Sequence, residues 1–132
     1  MTSTSAPKKI PSDLAISEAE NRAFARLEEA FGDTLWAMLR HYIRAGETIS
    51  EHLSEAVLCA HWQEAVRLAL ELGAAGAPFA FSEIDAAAKA FAASVYEGNT
   101  AHARRNAAQM VVFEFEKTTL MLQSRYPGLV ES

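Results

Sequence analysis

Apolar residues in this chain recur at helical spacing and nowhere alternate in the manner of a strand. Leu35, Leu39, Tyr42, Ile49 and Leu53 fall on one face of a continuous stretch. There is no sustained period of two and no Asn-Gly hairpin signal, so the fold class is all-α. "SEAE" at Ser17–Glu20 has the spacing of a capping box and opens a helix that runs to about Phe31. Gly32 breaks it, and Asp33 is placed to cap the next helix, which runs to about Leu58 and contains Gly46, a point where it can bend or weaken. A third helix starts near Trp62 and fades around Pro78, which removes a donor from the last turn. Ser82 or Asp85 caps a fourth, ending at "EGNT"; Asn99 or Thr100 opens a fifth that reaches about Tyr126, where "YPG" stops it. Connections this short force consecutive helices to run antiparallel. The expected architecture is an up-down-up-down four-helix bundle with an additional N-terminal helix.

The polar, Pro- and Lys-containing start reads as a disordered tail over residues 1–12, and residues 13–132 as a single domain. Half of the 132 residues are hydrophobic, enough for one core. The net charge of −5, with scattered Lys and Arg, argues against a nucleic-acid partner. No apolar run approaches the length of a membrane span, and the N-terminus is not a secretory signal. A lone cysteine, Cys59, excludes an internal disulfide and fits a reducing cytoplasm; within "AVLCA" it reads as a small buried hydrophobe. His41, His52, His61 and His102 are too dispersed for a metal site and read as solvent-facing or capping. No carboxylate pair marks acid–base chemistry and no glycine loop marks phosphate binding, so neither an enzyme nor a cofactor is expected.

The most unusual stretch is "LALELGAAGAPFAF", Leu68–Phe81. At ~100° per residue, Trp62, Ala65, Ala69, Leu72, Gly76 and Phe79 form the core stripe. Gln63, Glu64, Arg67 and Glu71 lie opposite. Leu70 is on the flank, beside Arg67 and Ala74, with Val66, Gly73 and Ala77 near it. Two readings are open: Leu70 widens the buried stripe, or it stands on a small-residue shoulder where another protein can approach the backbone.

"GDTLWAML" at Gly32–Leu39, "HWQEAVRLALELGAAGAPFAF" at His61–Phe81, "DAAAKAF" at Asp85–Phe91 and "EGNT" at Glu97–Thr100 together resemble the histidine-containing phosphotransfer (HPt) domains of bacterial phosphorelays. The resemblance covers about residues 17–126. Counting forward from Trp62 and back from Phe91 both place the family's phosphoacceptor His at Leu70. Ala69, Leu72 and Phe79 match their counterparts, but Gly73 stands where the family has Lys and Ala74 where it has Gly, and Glu71 adds a negative charge beside the phosphate position. Leucine has no nucleophilic atom. The resemblance therefore implies a pseudo-HPt domain, a non-catalytic module that binds a response-regulator receiver domain or a histidine kinase without carrying phosphate. The implied docking surface is Leu70, Arg67, Glu71, Gly73, Ala74 and Ala77, with Glu47, Ser50 and Ile43 expected near Leu70 on the preceding helix. The competing reading is a self-association or adaptor bundle, with the apolar shoulder as a homodimer surface.

Overall fold

The computed structural model describes residues 18–129. The expected tail and the capping-box Ser17 lie outside the described residues. Among the described residues five α-helices follow one another, α1 (Glu18–Phe31), α2 (Thr34–Leu58), α3 (Trp62–Ala75), α4 (Ser82–Tyr96) and α5 (Ala101–Arg125), with a 3-10 turn, Ala77–Phe79, between α3 and α4. No strand occurs among the described residues.

Helix α3 packs against both α2 and α4, α4 packs against α5, and α5 returns to α2 along a thinner seam. The ring encloses one core, in which Leu39, Ile43, Leu53, Leu72, Phe91, Val111 and Leu122 are fully buried. Trp62, expected in the core, is only partly buried; it lies at the edge, with the Arg104 guanidinium 5.2 Å over its ring. Helix α2 runs unbroken through Gly46. Gly46 is buried against the Phe115 ring of α5, where any Cβ would collide, and so brings α2 and α5 together.

Helix α1 docks through Phe24, its single buried residue, onto the rings of Phe81 and Tyr126. Tyr126 also meets Trp36 edge-on, so the start of α2 and the end of α5 share one end of the molecule. Below this layer Tyr42 packs among Phe79, Phe81 and Phe115. Its hydroxyl is buried without a hydrogen-bond partner, and burial pushes the phenol well above the usual tyrosine range. Gly128, at φ +85°, turns the chain after α5 so that Leu129 folds into the core.

The caps meet expectation at one helix and differ at two others. Thr100 accepts the Ala103 N–H at 3.1 Å and caps α5 as expected. Asp33 makes no capping bond, because its backbone is already helical (φ −66°, ψ −20°) and its side chain cannot turn back to the first N–H groups. Asp85 is inside α4 and pairs with Lys89 at 2.9 Å; Phe81 holds the cap position. Cys59 is exposed, not buried: α2 ends at Leu58, and the left-handed Ala60 (φ 57°) turns the chain away from the core there.

Candidate docking surface

Helix α3 touches neighbours on two sides, so its buried arc is wider than one stripe. Ala65, Val66, Leu68, Ala69, Leu72 and Gly73 are all buried. At Gly73 the α4 backbone comes close to α3. A Cβ there would lie 3.0 Å from the Asp85 Cα and 3.2 Å from the Ala88 Cβ of α4. Gly73 is therefore not part of an open shoulder, because α4 closes over it; the missing side chain lets the two backbones meet.

Leu70 lies one turn earlier and ~60° farther round, on the outer flank of α3 towards α4. It is half-buried, its side chain packed against the edge of the core. Leu70 thus widens the apolar face, as the first of the two readings has it, and still reaches solvent. Ala74 and Ala77 beside it are exposed. On the other side Arg67 donates to Glu64 at 2.6 and 3.1 Å and to Glu71 at 3.2 Å. The hydrogen bond from Arg67 holds the Glu64 carboxyl below its usual range, and all three side chains stay solvated. The shoulder is thus a half-buried leucine and small alanines bordered by a fixed charged ridge.

Glu47 and Ser50 lie elsewhere. They line a cleft of about 650 Å³ between α2 and α5, with Glu51, Phe115, Glu116, Thr119 and Leu120. On α2 their angle puts them on the α5 side, whereas Leu70 is on the α4 side of α3. The structure does not bring them together with Leu70, and they leave the candidate surface. Axial position along an antiparallel hairpin had paired Ser50 with Leu70; rotation about the helix axis separates them.

No protein-family model, curated protein or solved structure matches this chain significantly. The chemistry of the surface therefore rests on its own residues. Among the described residues no three His, Cys, Asp or Glu side chains gather as a metal site. Among the same described residues no helix is long and apolar enough to cross a membrane. All four histidines are exposed and dispersed. His102 pairs with Asn106 at 3.3 Å, and His61 holds the cap position of α3 without a side-chain capping bond.

Sequence reasoning overlooked an apolar groove of about 430 Å³ between α2 and the end of α3. Met38, His41 and Ala45 line one wall, Ala75, Pro78 and Phe79 the other. The available signal was Pro78, which sits in the 3-10 turn that follows α3.

Proposed function

We propose that this chain is a pseudo-HPt module: it docks the receiver domain of a response regulator, or a histidine kinase, in a cytoplasmic two-component pathway and carries no phosphate itself. In this reading α2 to α5 are the up-down-up-down bundle of an HPt domain, with α1 laid across one end. The observation that carries the proposal is the register at Leu70. Trp62 and Phe91 independently assign that position to the phosphoacceptor, and it holds an aliphatic side chain on the outer flank of α3. Three residues on, the place of the family's Lys is taken by Gly73, whose space is filled by α4. Loss of the nucleophile and of the adjacent cation together removes phosphotransfer, while the partly apolar shoulder keeps an anchor for a partner.

Docking is centred on Leu70, Ala74 and Ala77, with Arg67 and Glu71 as its charged border. A module of this kind competes with true phosphotransfer for a receiver or holds one in place. The test is a binding titration of the intact chain against receiver domains from the same cell, with Leu70→Asp as the control. Binding lost in that variant supports the reading; binding unchanged by it, or acid-labile labelling of the chain by a phosphorylated receiver, overturns it.

A further inference from the structure

The neighbour of the Leu70 shoulder is α4. A Cβ on Gly73 would lie 3.0 Å from the Asp85 Cα and 3.2 Å from the Ala88 Cβ. Residues 76–81 are too short a connection for anything but an antiparallel pair. One turn back along α3 from Gly73 therefore meets one turn forward along α4 from Asp85. Those positions are Leu70 and Lys89. Rotation agrees with the axial count here. Leu70 is turned ~60° outward from Gly73, and Lys89 ~40° from Asp85, away from the buried Ala88 and towards solvent. Two turns further along the same line of α4 stands Tyr96, which is 73% exposed.

The cations at the two borders of this seam are held differently. Arg67 is shared between the Glu64 and Glu71 carboxylates. Lys89 meets the Asp85 carboxylate at 2.9 Å, and its side chain is 70% exposed. An exposed pair one helical turn apart contributes little to stability, so Lys89 can leave it at little cost, and the partly exposed Asp85 stays hydrated when it does.

We infer that the docking surface runs across the α3–α4 seam, with Leu70 as its apolar centre, Tyr96 as a second anchor and Lys89 as the cation that selects a receiver domain presenting a carboxylate at the rim. The inference rests on the docking function proposed above and gives that surface its second wall, which the sequence had assigned to α2. Charge complementarity decides the partner's chemistry: of the two cations bordering the seam, Lys89 is the one that can turn outward and exchange its internal carboxylate for an external one. Tyr96 adds rigid area with few rotamers to lose, the property that makes tyrosine an anchor in interfaces. The missing side chain at Gly73 is what makes the surface continuous, because it lets α4 stand close enough for Leu70 and Lys89 to share one face.

The test is an NMR titration of the intact chain with unphosphorylated receiver domains from the same cell, followed by stopped-flow kinetics of two variants. Amide shifts are expected at Leu70, Lys89 and Tyr96 and not at Glu47 or Ser50. Lys89→Gln should slow association about fivefold at low salt and much less at ~0.5 M salt, since a rim charge acts mainly on encounter. Tyr96→Ala should speed dissociation about tenfold. Both side chains are exposed, so the thermal melts should not move. Shifts confined to α2 and α3, or wild-type kinetics in either variant, overturn the inference and leave docking at Leu70 standing. A chain that binds no receiver overturns the docking function and the inference with it.

Discussion

Gly46 of α2 lies directly under the Phe115 ring of α5, with no space between them for a methyl group. In an exposed helix interior, Gly→Ala stabilises by roughly 1 kcal/mol. Here the sign reverses. Gly46→Ala forces Phe115 off its place between Tyr42 and the α2 backbone and should cost about 1–3 kcal/mol despite the better helix former. Urea unfolding measures it, and Phe115→Leu in the same chain should recover part of the loss. A Gly46→Ala variant more stable than wild type would refute this account of the α2–α5 contact.

Leu70→Asp should leave the helical spectrum and the cooperative melt intact, since a half-buried flank lets the carboxylate reach water. On the proposed function, receiver binding should fall about thirtyfold, a loss of ~2 kcal/mol. Unfolding of this variant would mean that Leu70 belongs wholly to the core, and the shoulder would lose its centre.

Leu70→His alone should not create phosphotransfer, because no cation stands at position 73 and Glu71 opposes the phosphate. Adding Gly73→Lys should not help. Its Cβ would press on the Asp85 backbone and the variant should lose about 1–3 kcal/mol of stability. Radiolabel transfer from a phosphorylated receiver to either variant, resolved on a gel, checks this; strong labelling would show that the departures from the HPt pattern are superficial.

Tyr42→Phe should be neutral or stabilising by up to about 1 kcal/mol, since it removes a buried hydroxyl with no partner and keeps the ring contacts to Phe79 and Phe115. A clear loss of stability in chemical denaturation would reveal a bridging water or another partner for that oxygen.

Tyr126 donates its hydroxyl to Glu28 at 2.5 Å, and Arg125 lies 3.3 Å from the same carboxylate. The tyrosine hydrogen bond first, then Arg125, hold the Glu28 carboxyl below its usual range. Its folded pKa is thus below the unfolded value of about 4.3. The contribution is complete above that value and is lost as pH falls through the lower folded pKa. Solvent screening keeps it small. An NMR titration of Glu28 should show its midpoint rise in Tyr126→Phe; an unchanged midpoint would mean the hydroxyl does not bond to it in solution.

The sequence by itself determined the number, order and approximate limits of the helices. Gly32, Pro78, the Gly98–Thr100 turn and Gly128 act locally on the backbone, and helical spacing acts over one or two turns. It also placed Leu39, Leu72 and Phe79 in the core, because the middle of an apolar arc is buried whichever neighbour covers it. Only the tertiary structure decided the flanks. Leu70 and Gly73 differ by ~60° around α3, yet one reaches solvent and the other is sealed, because α4 approaches closely enough to cover Gly73 and no farther. Ser50 and Leu70 appeared opposite each other when only distance along the helices was counted, but their rotations send them to different sides of the ring. The end of α2 had the same ambiguity: "AVLCA" is apolar in composition, and the left-handed turn at Ala60 is what leaves Leu58 and Cys59 in water. Helix formation follows from the residues of each segment, whereas the covering of a flank depends on interaxial distance, set by small-residue contacts between segments far apart in the chain.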